Sequence, residues 1–450
     1  MIDLISLFKA DISIFIKNAF KEKIINEIDF NKISFDHSSK SKKGHLSSNI
    51  FLVLSKNQLN KKLDLIEYIS KYIKNLYYVE NIDFAKVGFY NIFFKKDFLV
   101  KNIKNLISNP NIKNYRLVDK QKINIEFVSA NPTGPIHVAH MRGAVLGDVL
   151  ASLLTTVGHE VTREYYVNNA GSQITTLGIS LFKRYQQLHD IDSEILDGEY
   201  PGSYLIVIAK NIKKMHSNEW INEKDIKKRA KFFEDYAVKY LINEIKRDLD
   251  LINISFDKYS YESDIVYNKY IDNVFKILKQ KNLVYEGMLP KPLGDDNKTW
   301  EPRKQLLFRS TSFEDDSDRP FQKFNGEWTY FANDSAYHYD KFLRGFDKLI
   351  NIWGADHIGY ISRLKSIVDS ISNKKNYLDV HICQIVRLLK NKEILKMSKR
   401  DGNFISLKEI FNEVGKDALR YYMVSTKSET PMDFNIDKVI EKNKDNPVFY

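Results

Sequence analysis

Ile123, Ile125, Phe127 and Val128 run into Ser129-Ala130-Asn131-Pro132-Thr133-Gly134-Pro135 and then His137-Val138-Ala139-His140, and this stretch decides how the rest of the chain is read. The apolar, β-rich residues predict a strand. Two prolines and a glycine in the following residues exclude a helix there and mark a turn. From Met141 to Leu154 the apolar spacing becomes helical, with Gly158 as a stop. A strand feeding a Gly/Pro turn that opens a helix is the first half of a nucleotide-binding βα unit. Backbone amides and the helix dipole then face phosphate at the carboxyl end of the strand.

Residues three apart at a helix start share a face, so His137 and His140 can reach one ligand. Zinc would need further ligands, and the single cysteine, Cys383, with no second HxxH nearby, offers no obvious set. No metal site is expected. Far downstream, Lys396-Met397-Ser398-Lys399 places two cations on a loop of the kind that clamps a polyphosphate.

Together these resemble the HIGH and KMSK signatures of class I aminoacyl-tRNA synthetases. The flanks narrow the resemblance: Phe127 to Pro135 before the histidines, and Arg163-Glu164-Tyr165-Tyr166-Val167-Asn168-Asn169-Ala170-Gly171 after them, are similar to arginyl-tRNA synthetases. The likeness runs from about residue 45 to the end. Ala139 stands where the family usually has glycine, and an added methyl beside the adenine is expected to weaken ATP binding.

The resemblance implies ATP-dependent activation of L-arginine to arginyl-adenylate and transfer to the 3' end of tRNA(Arg), releasing AMP and pyrophosphate. ATP would enter with Mg2+ as a substrate complex, with no permanent cofactor. It implies that His137 and His140 donate to phosphate oxygens and that Lys396 and Lys399 follow the departing phosphates, with Met397 and Ser398 in the same loop. Gly354, Asp356 and His357 would complete the ATP site, Asp356 on the ribose hydroxyls. A planar guanidinium pairs best with carboxylates. Asp334 is therefore expected in the arginine pocket, with Tyr330 as its wall and Glu262 as a candidate second carboxylate. Ser129, Asn131 and His140 would hold the amino-acid end.

The expected fold is α/β, a split Rossmann-like parallel sheet with an N-terminal α/β domain and a helical insertion. Residues 1–108 are read as a separate small α/β domain, from helical periodicity at Leu4 to Phe15 and Leu59 to Ile69 and a strand at Val87 to Phe94, and the resemblance implies that it is the additional domain that contacts the outer corner of tRNA. Residues 120–425 are read as the catalytic domain, interrupted at about 186–304 by an insertion that contains Tyr259 to Ser263. In the second half a helix is expected from near Ser335, strands at Leu349 to Trp353 and Val380 to Val386, and helices at Lys408 to Val414 and Asp417 to Ser425. Residues 426–450 are expected to begin an anticodon-binding region that the chain largely lacks, because it ends at Asn446-Pro447-Val448-Phe449-Tyr450.

Apolar residues make up 43% and aromatics 13% of 450 residues, which excludes a disordered chain. No apolar run looks long enough for a membrane span, and one cysteine excludes an internal disulfide, so a cytosolic monomer away from membranes is expected. Lys and Arg exceed Asp and Glu by 69 to 58, for a net charge of +11. That suits RNA through counterion release, although Lys is abundant throughout. Two other readings stay open: a class I synthetase of another specificity, and a catalytically silent, synthetase-like RNA-binding protein.

Overall fold

A computed structural model describes residues 4–37, 44–108, 119–290, 302–313, 315–391, 393–395, 405–444, 446 and 448. The chain divides into two compact units, 1–118 with 156–158, and 119–155 with 159–450.

The first unit contains α1 (Leu4–Lys21), β1 (Phe35–His37), β2 (Leu46–Ser48), α2 (Ile50–Lys56), α3 (Leu65–Lys74), β3 (Val79–Phe84), β4 (Tyr90–Phe94) and α4 (Lys96–Ser108). Its sheet is antiparallel in the order β1-β2-β4-β3. On α1, Phe8, Ile12, Phe15 and Ile16 recur at helical spacing and are buried. The helix expected from Leu59 begins at Leu65 instead, because Asp64 caps it by accepting from the amides of Ile66 and Glu67. The strand expected from Val87 starts at Tyr90. Gly88, at φ 90°, still belongs to the turn that Ala85 N closes on Phe89 O at 2.8 Å.

The second unit opens with β5 (Lys122–Glu126), α5 (Val138–Thr156), β6 (Glu160–Val167) and α6 (Ser172–Leu188). A helical layer follows, α7 (Tyr204–His216), α8 (Glu219–Asn222) and α9 (Ile226–Leu251), then β7 (Lys258–Tyr261), α10 (Glu262–Tyr267) and α11 (Tyr270–Gln280). Next come β8 (Val284–Gly287), β9 (Gln305–Phe308) and β10 (Arg319–Gln322), which form an antiparallel sheet of their own. The chain then returns through α12 (Tyr330–Leu343), β11 (Lys348–Gly354), α13 (Ile361–Ser372), β12 (Leu378–Cys383), β13 (Val386–Lys390) and β14 (Glu393–Leu395). The remaining elements are α14 (Leu407–Val414), α15 (Lys416–Val424), β15 (Met432–Asn435) and α16 (Ile436–Ile440).

The central sheet is parallel throughout, in the order β12-β11-β5-β6-β7. From β5 the chain steps outward to β6 and β7, then returns to the other side of β5 as β11. The strand order therefore reverses between β5 and β11, and ligands in such sheets bind at the carboxyl ends of the strands beside that reversal. Close packing brings α5 onto β5: a Cβ on Gly147 would stand 2.3 Å from Phe127 Cγ, so only glycine fits.

Three expectations change here. The interval 186–304 is not a simple insertion, because β7 within it pairs with β6 as a strand of the central sheet. The single strand expected at Val380 to Val386 is two, with β12 in the central sheet and β13 pairing with β14 and β15. Residues beyond 425 do not start a separate region at once. β15 is parallel to β13, and Met432, Phe434, Ile436 and Val439 lie in the same buried core as Ile125 and Val145.

By length and hydropathy, α5 is long and apolar enough to cross a membrane, contrary to the reading that no segment approaches this. Its apolar character serves the core instead. Val138, Met141, Ala144, Val145 and Ala151 are buried against the sheet, and its Arg142 and Asp148 are buried as well. Asp148 meets Arg420 at 2.7 Å and Arg163 at 3.3 Å.

Candidate active site at the sheet's switch point

Two consecutive left-handed residues, Val128 (φ 66°) and Ser129 (φ 40°), carry the chain off the end of β5. A β-branched residue is costly there, and such strain persists only where the surroundings hold it. Ser129 N donates to Phe127 O at 2.9 Å. Ser129 Oγ donates to Glu126 Oε1 at 3.0 Å and accepts from Tyr166 N at 3.1 Å. Beyond it, Tyr165 donates its hydroxyl to Ala130 O at 2.7 Å and Tyr204 to Thr133 O at 2.6 Å. The proline-rich turn is thereby fixed to β6 and α7.

The turn delivers His137 and His140 to the start of α5, with ring centroids 4.1 Å apart and His140 N donating to His137 O at 2.9 Å. His137 also forms an antiparallel bridge with Ser406, beside which Leu407 N donates to Ile136 O at 3.0 Å. Ser406 caps α14 in a reciprocal capping box with Glu409. Lys396, Met397, Ser398 and Lys399 lie outside the described residues, but the chain that leaves them returns to the histidine turn. Ala139 is exposed in the first turn of α5.

A cavity of about 220 Å³ opens where β5, β6 and β11 end, and Glu126, Ser129, Asp334, Asn351, Gly354 and His357 are among its lining. Tyr166, Tyr337, Trp353 and Tyr360 supply aromatic walls. Asp334 accepts from the Tyr360 hydroxyl at 2.6 Å. Burial pushes its pKa up to about 7; the Tyr360 bond and Lys341 oppose the rise, while Glu126 and Glu262 add to it. Four residues on, His338 donates from Nδ1 to Asp334 O (2.8 Å) and accepts at Nε2 from Asn351 Nδ2 (3.1 Å). Burial first, and Lys341 second, lower its pKa to about 3, so its ring is neutral.

Behind the cavity, Glu164 is fully buried and gathers Arg344 in a fork (2.8 Å to each oxygen), Ser260 Oγ (2.6 Å), Tyr337 OH (3.1 Å) and Asn124 Nδ2 (2.5 Å). Burial alone would raise its pKa. Lys341 and the Arg344 fork outweigh that and bring it down to about 2.

Of the residues expected from sequence, Ser129, Asp334, Gly354 and His357 line one cavity. A Cβ on Gly354 would lie 2.5 Å from Asp356 Oδ1, the tip of an exposed side chain that is free to move aside. Asp356 itself is 78% exposed on the rim, 3.3 Å from His357. Glu262 is buried but outside the lining; with its amide turned to donate, Asn168 reaches its Oε2 at 2.7 Å. Burial raises the Glu262 pKa and an Asn333 bond opposes this. Asn131 donates to Gln173 Oε1 at 3.0 Å, away from the lining. Tyr330, expected as the pocket wall, is 72% exposed at the first turn of α12, and the wall is formed by other aromatics. Among the described residues, no three His, Cys, Asp or Glu side chains gather as metal ligands.

Glu126, Lys341 and Asn351 escaped the sequence reading. The signal for two of them lay in the strands: Glu126 and Asn351 interrupt apolar runs that a doubly covered parallel sheet should keep continuous, and polar residues there call for a purpose.

Comparison with known proteins agrees with this geometry. Residues 102–442 match the family model for class I tRNA synthetases (R), catalytic domain, and residues 9–94 match that for the arginyl tRNA synthetase N terminal domain. A relative from Ehrlichia chaffeensis named arginine–tRNA ligase is 38% identical over 95% of this chain and 74% of its own length. One from Azorhizobium caulinodans, of the same name, is 40% identical over 94% of this chain and 73% of its own length. The crystal structure of Thermus thermophilus arginyl-tRNA synthetase shares the fold, with a TM-score of 0.67 at 16% identity, over 98% of this chain and 79% of that one. The chain belongs to the class I arginyl-tRNA synthetase family.

Proposed function

We propose that this chain activates L-arginine with ATP and transfers it to tRNA(Arg), and that the cavity at the switch point seats the arginine side chain. The observation that carries the seat is the pair of carboxylates, Glu126 and Asp334, facing one aromatic-walled cavity. A guanidinium is a planar fork that pairs with carboxylates edge-on and stacks on rings face-on, and this lining offers both. A neutral amino acid would bring no second cation to two carboxylates that have Lys341 as their shared counter-charge, which is costly.

Activation requires the arginine carboxylate to attack the α-phosphate while pyrophosphate leaves. The protein's part is alignment and stabilisation of charge on the phosphates. His137 and His140, at the positive end of α5, are proposed as donors to those oxygens, with Lys396 and Lys399 following the pyrophosphate. Gly354 permits close approach at the end of β11, Asp356 accepts from the ribose hydroxyls, and Asn131 holds the amino-acid end. ATP would enter as its magnesium complex, with the metal brought by the substrate. Residues 1–108 are proposed to touch the outer corner of the tRNA.

Charging of total tRNA with arginine, lysine or citrulline in turn tests this reading. Arginine alone should be incorporated, since lysine lacks the fork and citrulline the charge. Comparable incorporation of another amino acid would replace the specificity. No ATP-dependent charging at all would leave a silent RNA-binding protein.

A further inference from the structure

We infer that Lys341, which does not itself line the cavity, is a positioning and specificity-determining residue: from behind the floor it fixes the Glu126 carboxylate and supplies a standing counter-charge, so that the site is completed by a single additional cation carrying a planar fork. This rests on the reading of the cavity as the arginine seat.

Asp334, His338 and Lys341 recur at helical spacing on the face of α12 that looks onto the sheet. The Lys341 side chain has no exposed surface. Its Nζ lies 2.6 Å from Glu126 Oε2, 3.4 Å from Asn351 Oδ1 and 4.4 Å from the Tyr337 ring centroid. Ser129 Oγ occupies the other oxygen of Glu126 at 3.0 Å. Glu126 is therefore gripped at both oxygens, from α12 and from the strained turn, and presents a fixed edge to the cavity. A buried lysine is rare unless it is paired, and here its partner is a residue of the site itself.

The charges facing this floor come from several elements. Glu126 stands on β5, Asp334 and neutral His338 on α12, Glu262 at the start of α10, and Tyr360 and His357 follow β11. Behind them Glu164 on β6 is held by Arg344. Without Lys341, Glu126, Asp334 and Glu262 would repel one another with only the substrate to balance them, and Asp334 would keep its proton to higher pH. With Lys341, Asp334 can release that proton to solvent near neutrality and meet an incoming guanidinium as a carboxylate. Lys341 and Glu126 thus act on Asp334 with opposite sign.

The test is arginine binding by calorimetry from about pH 5.5 to about pH 9, with the native chain and four variants. The native affinity should rise with pH around a midpoint near 7 as Asp334 ionises. Glu126→Gln should move the midpoint down, Lys341→Met should move it up, and the double variant should return it close to the native position. Lys341→Arg, which keeps the charge, should leave the midpoint in place. At neutral pH Lys341→Met should bind arginine about tenfold or more weakly, while KM for ATP stays within about twofold. A midpoint unmoved in Lys341→Met, or a double variant no different from Glu126→Gln, overturns the inference. If Lys341→Met does not fold, the comparison of Glu126→Gln with the double variant still decides it. A native chain that binds no arginine sinks the reading of the cavity itself, and with it this role.

Discussion

His137 and Ser406 face each other in an antiparallel bridge, tying the turn before α5 to the chain that emerges from the lysine motif. The relationship is covalently short on both sides. His140 follows within one helical turn, and Ser406 opens α14 directly. The histidine turn and the start of α14, far apart in sequence, are thereby registered by backbone pairing, which side-chain flexibility cannot blur. A donor set aimed at a leaving pyrophosphate needs such registration, since misplacement by an ångström sacrifices much of the rate.

His140→Ala should therefore slow the chemical step by about a hundredfold or more, a few kcal/mol, because its contact to phosphate strengthens as charge moves onto the leaving group. Arginine affinity by calorimetry should stay within about twofold of the parent. Single-turnover charging at the native rate would remove the histidine from the mechanism.

Asp334→Asn should weaken arginine binding while sparing ATP, since it removes a carboxylate and keeps the shape. Its effect on stability has the opposite sign. The folded pKa of Asp334, near 7, lies above the unfolded value of about 3.9, so the folded state holds the extra proton between them. Stability contributed by this group is accordingly full below about pH 4 and lost as pH rises toward 7. Without ligand, the asparagine variant should melt higher than the parent at pH 8, by a few kcal/mol at most, and equal it near pH 4. Equal melting temperatures at pH 8 would contradict the cost of charging this carboxyl in its desolvated site.

Much of this was legible in sequence, and what was not has physical causes. The strand, turn and helix from Ile123 onward could be read because prolines, glycines and apolar spacing act locally. β7 could not, because Lys258–Tyr261 is short and becomes a strand only by pairing with β6, a tertiary fact. Asp334, expected through its neighbours in the motif, lines the cavity, whereas Tyr330 does not and Tyr166, Tyr337 and Tyr360 do. Which aromatic faces a cavity depends on helix rotation, and α12 turns Tyr330 outward. Lys341 in turn reads as an ordinary helix lysine until Glu126 is placed opposite it.

Glu164→Gln should destabilise the second unit by about 3–5 kcal/mol at neutral pH, the usual result of removing one partner from a buried ion pair. Arg344 would keep one oxygen of its fork and face an amide NH2 at the other, and whichever donors shared that second oxygen, Asn124 or Ser260 with Tyr337, would lose their acceptor. Because the folded pKa is near 2, below the unfolded value of about 4.3, the contribution is present above about pH 4 and fades as pH falls toward 2. The gap between variant and parent in urea midpoints should narrow over that range. A constant gap would mean that charge is not what Glu164 supplies.

The last prediction concerns Arg142, two residues beyond His140 and almost wholly buried. Its guanidinium donates to four backbone carbonyls: Lys427 O at 2.6 Å, Thr430 O at 2.7 Å, Gln384 O at 3.2 Å and Thr426 O at 3.3 Å. Burial lowers its pKa, while Cys383 and Glu429 pull the other way. Three of the carbonyls lie in the loop between α15 and β15 and one between β12 and β13, so a single side chain gathers two segments onto α5. Asp148, further along the same helix, holds α15 a second time through Arg420. Lysine cannot replace this fork, because one ammonium lacks the span of a planar guanidinium. Arg142→Met should leave the carbonyls short of donors and cost about 3 kcal/mol or more, with Arg142→Lys recovering less than half. The loss should be local before it is global: amide exchange should speed up across 384–386 and 426–432 while β5 and β6 keep their protection. Charging should slow through kcat, with arginine affinity nearly unchanged, since the cavity residues lie on other elements. Exchange at the parent's rate across 426–432 in Arg142→Met would show that the segment is held by something else.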